Sequence, residues 1–281
     1  MLNLIEIIKT IILGIIEGVT EWLPISSTGH LILVNEIIQL DVSAKFLEMF
    51  NVVIQLGAIL AVVLVYFNKL NPFAKNKKRK EFIETIDLWK KVIIGCIPAV
   101  ILGFILNDFM DEYFNKPIII ALALIVYGVA FIYIERQHKN IEPKIKSFKE
   151  LDILTAIKIG LFQCLALVPG TSRSGSTILG GLLVGTSRSI ATEFSFFMGI
   201  PIMFGASGLK LLKFGFHYSF AEFIILVVGS VVSFVVSLFV IKFLLKYIKQ
   251  HDFQAFGWYR IALGIIVLRS EEHTSELQSQ R

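Results

Sequence analysis

EGVTEWLPISSTGH, the sequence of residues 17–30, lies between two runs of isoleucine and leucine. It contains two carboxylates, one imidazole and, after its proline, three hydroxyls. Ionisable side chains are costly inside a bilayer, so their presence in such a segment usually indicates a functional site. Pro24 and Gly29 also interrupt the helical pattern. An interrupted backbone is tolerated at membrane depth only where protein or a water-filled cavity satisfies its polar groups. The surrounding region, 2–40, is therefore predicted to form a re-entrant helix pair.

The composition of the whole chain indicates a membrane protein with several spans. Of its 281 residues, 55% are hydrophobic and 17% are charged, and the mean hydropathy is +0.74. Soluble domains average roughly 45–50% apolar and about 25% charged residues. Six apolar stretches are close to the length of roughly 17–25 residues that a spanning helix needs. They are 46–67, 92–108, 117–134, 193–213, 221–241 and 256–268.

A second interrupted region, 153–190, is similar enough to the first to indicate an internal repeat. The aligned pairs are Gly14 with Gly160, Glu17 with Gln163, Pro24 with Pro169 after a slip of one residue, and Glu48 with Glu193. Each glutamate of the last pair lies 24 residues beyond its proline and opens a span. We therefore predict a re-entrant helix pair in this region as well.

The predicted fold is an all-α integral membrane protein with six transmembrane helices and two re-entrant helix pairs. Its halves cover about 1–135 and 151–269, with a cytoplasmic linker at 136–150. Each half contains three spans, and an odd number reverses the orientation of the second half, which gives an inverted repeat. The polar tail at 270–281 has no apolar periodicity, so we expect it to be disordered or artefactual.

The net charge of +5 is unevenly placed along the chain. Lysines and arginines crowd the loops around 69–91 and 136–149, while the loop between them, 107–115, is acidic. The positive-inside rule makes the basic loops cytoplasmic and the acidic loop external. Because these charges flank predicted spans, they indicate topology, and we predict no nucleic-acid partner.

Four side chains of the first interrupted region carry candidate chemistry. Glu17 and Glu21 are one helical turn apart and share a face, and their oxygens suit a hard cation such as Mg²⁺ or Ca²⁺. Ser27 and His30 are three residues apart and share a face if helix resumes after the proline. They are a candidate nucleophile and its base, although a serine here, Ser26 or Ser27, is also typical of a helix cap.

The second interrupted region contains PGTSRSGST, residues 169–177, whose glycines loosen the backbone and whose hydroxyls offer hydrogen-bond donors. Arg173 adds a planar cationic fork suited to phosphate. A helix that begins near Gly175 would add its free N–H groups to an anion site. The alternative is a helix-cap loop whose arginine reaches the membrane interface. The candidate phosphate-binding residues of this loop are Arg173 and the hydroxyl residues Thr171, Ser172, Ser174, Ser176 and Thr177.

Together the two regions contain the parts of a phosphoryl-transfer site. These parts are a nucleophile beside a base, a cation for the phosphate oxygens, and carboxylates for a metal ion. A transporter of an anionic lipid or solute is the alternative, because inverted repeats with broken helices also build secondary transporters. The pair of Ser27 and His30 favours the enzyme, since an anion carrier has little use for a positioned nucleophile.

Polar residues outside these regions receive weaker interpretations. Gln55 and Glu48 either face the cavity or bond across helices. Tyr259 and Arg260 are expected to anchor the chain at the membrane interface. Arg188 either binds a second phosphate or marks a cytoplasmic loop.

The chain closely resembles the bacterial undecaprenyl-diphosphate phosphatase family, also called bacitracin-resistance proteins, in the motifs EGVTEWLPISSTGH, NVVIQLGAILAVV, PGTSRSGST, EFSFFMGIPIMFGA and WYRIALG. The similarity covers about residues 1–268. It implies a multi-pass enzyme of the bacterial cytoplasmic (inner) membrane that hydrolyses undecaprenyl diphosphate to undecaprenyl phosphate and inorganic phosphate. That reaction recycles the lipid carrier for peptidoglycan synthesis and confers bacitracin resistance. The resemblance also implies a site open to the outer face and a homodimer.

Carried over residue by residue, the resemblance makes Ser27 the nucleophile or its neighbour and His30 its base or acid. The phosphate-binding residues that follow from it are Ser26, Ser172, Arg173, Ser174 and Thr177. Glu17 and Glu21 become the carboxylates that hold a metal ion or position water. Three routes stay open: attack by the Ser27 hydroxyl, attack by an imidazole nitrogen of His30, and attack by water activated by Glu21.

Overall fold

The computed structural model describes residues 3–75, 77–139, 141–215 and 218–279. Within these ranges it contains eleven α-helices and one turn of 3-10 helix at Leu165–Leu167. The helices are α1 Leu4–Thr20, α2 Ser27–Ile37, α3 Ala44–Val65, α4 Phe67–Leu70, α5 Arg79–Phe114, α6 Pro117–His138, α7 Ile153–Cys164, α8 Arg173–Leu183, α9 Arg188–Phe214, α10 Phe220–Tyr247 and α11 Gln254–Ser279. The described residues form no strand beyond one isolated bridge between Ile145 and Thr186. The all-α prediction is confirmed.

Five of these helices are long and apolar enough to cross a membrane: α3, residues 79–106 of α5, α6, α9 and α10. Exposed phenylalanines on α5 and α10, such as Phe104 and Phe239, give the molecule an apolar outer surface that suits lipid. The prediction of a multi-pass membrane protein is therefore confirmed. The sixth predicted span, 256–268, lies in α11, which is not among the five because arginines and a polar segment lower its hydropathy.

Both regions that the sequence predicts to be interrupted are interrupted in the structure. Residues 21–26 separate α1 from α2, and residues 168–172 separate the 3-10 turn after α7 from α8. The residue before each new helix is a serine with a φ of 73°, Ser26 or Ser172, and its Oγ accepts a hydrogen bond from the amide three residues later. In the described part of the chain these are the non-glycine residues with positive φ. Such strain clusters at functional sites.

Glycines let the helices of the interrupted regions approach other helices closely. A Cβ atom on Gly14 of α1 would lie 2.9 Å from the Gly229 carbonyl oxygen of α10. One on Gly160 of α7 would lie 2.0 Å from the Gly95 carbonyl oxygen of α5. Small residues are therefore required where α1 crosses α10 and where α7 crosses α5. Helix α6 packs against α11, and α3 packs against both α10 and α9.

The α3 and α9 pair carries an ion pair at each end. Glu48, near the start of α3, pairs with Lys210, near the end of α9. Glu193, near the start of α9, pairs with Lys69 of α4, which follows α3 directly. Glu48 therefore bonds across helices, which is one of the two interpretations that the sequence leaves open.

Trp22 anchors the first interrupted loop inside the helix bundle. Its side chain is fully buried and packs edge-on against Phe196, with the ring centroids 5.0 Å apart. The polar residues on either side of Trp22 are therefore held within the protein and not at its surface.

The polar tail is described as far as Ser279, and its backbone continues helix α11. The last two residues lie outside the described ranges. The expectation of a disordered or artefactual tail, and the domain boundary before it, stay predictions from the sequence.

Candidate active site

The two interrupted regions meet at an ion pair between Glu21 and Arg173. Arg173 Nη2 donates to Glu21 Oε1 at 2.8 Å, and the two side chains are only 8% and 12% exposed. Nη1 of the guanidinium donates to the Ser195 carbonyl oxygen at 2.8 Å. Its carbon lies 5.6 Å from the centroid of the Trp22 ring. Two residues 152 positions apart in sequence therefore share one site.

Ser27 contacts the other oxygen of the same carboxylate. Its Oγ donates to Glu21 Oε2 at 3.0 Å, and an ionised carboxylate has only acceptor oxygens. Ser27 is the first residue of α2, immediately after the capping serine, Ser26. The candidate nucleophile thus has a proton acceptor within hydrogen-bond distance.

Both ring nitrogens of His30 bond residues other than Ser27. Its Nδ1 is 2.7 Å from the Ser26 carbonyl oxygen, and its Nε2 is 2.7 Å from the Tyr259 hydroxyl oxygen. A carbonyl oxygen only accepts, so Nδ1 carries a proton. In the neutral ring, Nε2 then accepts a hydrogen bond from the Tyr259 hydroxyl. The structure does not bring His30 to Ser27 as a base.

The hydroxyls predicted to bind phosphate divide into two groups. Ser26 and Ser172 line a cavity at the site, although their Oγ atoms also cap α2 and α8. Ser174 donates to the Glu21 carbonyl oxygen at 3.2 Å. Thr177 is fully buried, and its Oγ1 bonds the Arg173 carbonyl and Ser195 Oγ. The first group therefore faces the site, and the second holds the loops together.

A cavity of about 140 Å³ lies between the two interrupted loops. Its polar lining includes Glu21, Ser27 and Arg173, and α3 adds Gln55, which faces this cavity as one of the two interpretations expects. Its apolar lining comes from the second loop and from α9. The apolar residues are Ala166, Val168, Pro169, Ile202, Met203 and Ala206. The mixture suits a polar headgroup attached to a hydrocarbon chain.

Glu17 lies one helical turn before Glu21, is fully buried, and does not line the cavity. No described residue donates a hydrogen bond to either of its carboxylate oxygens. A buried carboxylate without donors requires a cation or a proton. The described residues contain no group of three or more His, Cys, Asp and Glu side chains at metal-binding distance. The carboxylates of Glu17 and Glu21 therefore fit one of two arrangements. They either hold an ion together with water or share a proton.

A family model described as Bacitracin resistance protein BacA matches residues 10–266. The chain belongs to this family. An undecaprenyl-diphosphatase of Enterococcus faecalis is 57% identical over 263 residues, which cover 92% of this chain and 95% of that protein. One from Limosilactobacillus fermentum is 58% identical over 268 residues, or 94% and 97% of the two chains. Undecaprenyl-diphosphatase 1 of Clostridioides difficile is 56% identical over 266 residues, or 95% and 96%.

The BacA match includes both interrupted loops and the first half of α11, whereas it ends before the polar tail. Helix α11 contains Arg260, whose position in this BacA-family protein differs from the prediction. Arg260 does not anchor the chain at the membrane interface, because its side chain is fully buried. An arginine inside an apolar stretch is the same signal that marked Arg173, so the sequence held a clue to its role.

Arg260 joins the two interrupted loops of this BacA-family protein. Its Nη1 donates to the Pro24 carbonyl oxygen at 3.2 Å, and its Nη2 donates to the carbonyl oxygens of Gly170 and Thr171 at 2.9 and 3.0 Å. The preceding residue, Tyr259, contacts His30. Two consecutive residues of α11 therefore hold both loops from one side.

Proposed function

We propose that this BacA-family protein is a membrane phosphatase that hydrolyses undecaprenyl diphosphate to undecaprenyl phosphate and inorganic phosphate. It thereby recycles the lipid carrier for peptidoglycan synthesis and confers bacitracin resistance. The observation that carries the proposal is the contact of Ser27 and Arg173 with the two oxygens of one carboxylate, Glu21. The undecaprenyl-diphosphatase relatives, 57% and 58% identical, support the choice of substrate.

In the proposed reaction the Ser27 hydroxyl attacks the terminal phosphorus. Its proton passes to Glu21 Oε2, the acceptor with which it is already hydrogen-bonded. A bond forms between Ser27 Oγ and phosphorus, the bond from phosphorus to the bridging oxygen breaks, and undecaprenyl phosphate leaves. Water then hydrolyses the phosphoserine, which releases inorganic phosphate and restores the hydroxyl. Arg173 supplies positive charge to the phosphate oxygens in both steps.

The contacts of His30 support Ser27 as the nucleophile. Attack by imidazole needs a free ring nitrogen, and both nitrogens of His30 are engaged, by Ser26 and Tyr259. Water activated by Glu21 is the remaining route, and it forms no covalent intermediate. A carrier of anionic lipid would use Arg173 but gains nothing from a serine hydrogen-bonded to a carboxylate.

We also propose that Glu17 and Glu21 hold a Mg²⁺ or Ca²⁺ ion. Two observations support this assignment: no described residue hydrogen-bonds the carboxylate oxygens of Glu17, and the two carboxylates are one helical turn apart. When bound, the ion would add positive charge for the phosphate oxygens and the leaving group.

The finer architecture that we propose is an inverted repeat with two re-entrant pairs, α1 with α2 and α7 with α8, and α11 as the sixth span. Equivalent contacts support it. Gly14 of α1 meets α10 as Gly160 of α7 meets α5, and the α3 and α9 pair has an ion pair at each end. Ser26 and Ser172 share one backbone conformation and one capping bond.

We propose a location in the bacterial cytoplasmic membrane with the site open to the outer side. The basic loops support this orientation through the positive-inside rule. A homodimer is proposed from the family resemblance alone. Cross-linking of the protein in native membranes tests the homodimer. Cysteines placed on the apolar face of α5 are compared with cysteines placed on the apolar face of α10.

Phosphate release by purified protein in detergent with undecaprenyl diphosphate tests the proposed function. We expect release that depends on Mg²⁺ or Ca²⁺ and stops with a chelator. Acid quenching followed by peptide mass spectrometry should find phosphate on Ser27. Absence of release with either metal would contradict the enzyme and favour the carrier. Release without any covalent phosphate would favour direct attack by water.

A further inference from the structure

A second cavity, of about 640 Å³, lies where the end of α6, the linker, the turn between α8 and α9, and the end of α10 meet. Its lining shares no residue with that of the candidate active site. Arg173 begins α8 and Leu183 ends it, and these 11 residues of helix span about 16 Å. The two cavities therefore lie at opposite ends of α8.

Main-chain hydrogen bonds fix the wall of this second cavity. The amides of Lys144 and Ile145 donate to the Gly185 carbonyl oxygen at 2.9 and 3.0 Å. The Ser187 amide donates to the Ile145 carbonyl oxygen at 2.8 Å. These bonds hold the linker against the turn between α8 and α9, so a ligand would meet a wall that is already ordered.

Three lysines of the lining, Lys139, Lys144 and Lys249, are exposed. In the described ranges no carboxylate lies at ion-pair distance from any of the three, since the eight ion pairs found there involve other residues. His138 also lines the cavity, and its Nδ1 bonds the Ile134 carbonyl oxygen. The lysines therefore place positive charge at the cavity that no carboxylate of the described ranges pairs with.

The two acidic residues of the lining are already neutralised. Glu135 is buried and accepts from Arg188 Nε at 2.9 Å. Glu142 pairs with Lys146, and that hydrogen bond lowers the pKa of the Glu142 carboxyl. Neither carboxylate therefore cancels the charge of the three lysines.

Uncharged donors at this cavity also suit an anion. Thr186 is 3% exposed, and its Oγ1 has no hydrogen-bond partner among the described residues. The cavity also includes Arg188 and Ser189, the first two residues of the 27-residue helix α9. The amides of a first helical turn lack intrahelical acceptors and attract anions.

The rim of the cavity is apolar. Leu183 is 45% exposed and Ile141 is 56% exposed, and both belong to the lining. We propose that this cavity binds the phosphate headgroup of an anionic lipid, whose hydrocarbon leaves past Leu183 and Ile141. Inorganic phosphate offers the same charge but gains nothing from an apolar rim. This proposal does not depend on the proposed phosphatase activity.

Calorimetric titration of the full chain in detergent with dihexanoyl phosphatidic acid tests the proposal. The variant K139Q/K144Q/K249Q removes the three cavity lysines, and K80Q/K90Q/K158Q removes three exposed lysines outside the cavity as a matched control. We expect the first variant to bind at least about tenfold more weakly than wild type, and the control to change less than about twofold. T186V should weaken binding by about threefold.

Two further probes separate the sources of phosphate. Dihexanoyl phosphatidylcholine should bind weakly, and inorganic phosphate should bind more weakly than phosphatidic acid. Hydrolysis of undecaprenyl diphosphate by K139Q/K144Q/K249Q should keep the wild-type rate, which separates this cavity from the active site. Equal losses in the two triple variants would overturn the proposal, because binding would then follow bulk charge. Inorganic phosphate that binds as tightly as phosphatidic acid would overturn the assignment to a lipid.

Discussion

The two interrupted loops share one backbone conformation but are followed by side chains of different chemistry. Ser26 and Ser172 each have a φ of 73° and cap the helix that follows. The first residue of that helix is Ser27 in one half and Arg173 in the other. Glu21 contacts both of them. The Ser27 hydroxyl and the Arg173 guanidinium thus each follow a capping serine, and both contact the Glu21 carboxylate.

The difference shows how two loops with one backbone conformation form an asymmetric site. The shared loop conformation positions the first side chain of each helix, and the identity of that side chain determines its role. The same asymmetry appears in the last turns of the two preceding helices, α1 and α7. There Glu17 of α1 aligns in sequence with Gln163 of α7. Both are buried, with side-chain oxygens that no described residue bonds. The acidic side chains of the candidate site therefore come from the first interrupted region, and the cationic side chain of Arg173 comes from the second.

Removal of the hydroxyl should have the largest effect. Ser27→Ala is expected to lower kcat by at least about 10⁴-fold, because the nucleophile of the covalent route is lost. Ser230→Ala makes the same change on α10, away from the cavity, and should keep wild-type activity. Phosphate release from undecaprenyl diphosphate measures both. A loss below about tenfold in the Ser27 variant would point to water as the nucleophile.

The equivalent change in the second loop should cost less. Arg173→Lys keeps a positive charge but loses the planar fork that reaches both Glu21 and the Ser195 carbonyl. We expect kcat to fall by about 10²-fold. Arg136→Lys, at an exposed arginine in the last turn of α6, is the matched control. If Arg173→Lys were as active as wild type, Arg173 would act only as a charge.

Sequence patterns predicted the parts of this site that are local in the chain. The two helix interruptions and the polar residues Glu21, Ser27 and Arg173 beside them follow from short motifs with unusual polarity. Spacing failed for His30, because its ring turns back to the carbonyl four residues earlier and meets Tyr259, 229 positions away. Thr177 likewise bonds the carbonyl four residues before it, as hydroxyls inside helices often do.

The sequence marks Arg260 as an unusual arginine in an apolar stretch but does not give its partners, because they are backbone carbonyls. Its hydrogen bonds reach three separate segments, at Pro24, at Gly170 and Thr171, and more weakly at Leu124. No side-chain motif records such contacts. The sixth span stays a prediction for a related reason, since α11 carries this buried arginine within its apolar stretch.

A third variant tests whether both loops depend on this shared support. Arg260→Lys keeps the charge but cannot reach Pro24, Gly170 and Thr171 together, so we expect kcat to fall by about tenfold. KM should stay within about twofold, because Arg260 does not line the cavity. Steady-state kinetics separates kcat from KM, and thermal unfolding in detergent shows whether the fold is retained. A fall in Tm with unchanged kcat would mean that Arg260 only stabilises the fold.

The smallest expected effect compares the packing of the two halves. Gly160→Ala places a Cβ 2.0 Å from the Gly95 carbonyl oxygen, whereas Gly14→Ala leaves 2.9 Å to the Gly229 carbonyl oxygen. We expect the first change to destabilise by up to about 3 kcal/mol and the second by about 1 kcal/mol less. Thermal and denaturant unfolding in detergent measures both variants.

Gly205→Ala is the control for these glycine variants. Gly205 lies in α9, and no described atom outside its own helical turn lies within 4 Å of the place that an alanine Cβ would take. Alanine there should stabilise by about 0.5–1 kcal/mol through helix propensity. Equal destabilisation at positions 14 and 160 would mean that the crossings of α1 with α10 and of α7 with α5 relax to the same separation. The two halves would then be equivalent in packing as well as in loop geometry, and only their side-chain chemistry would differ.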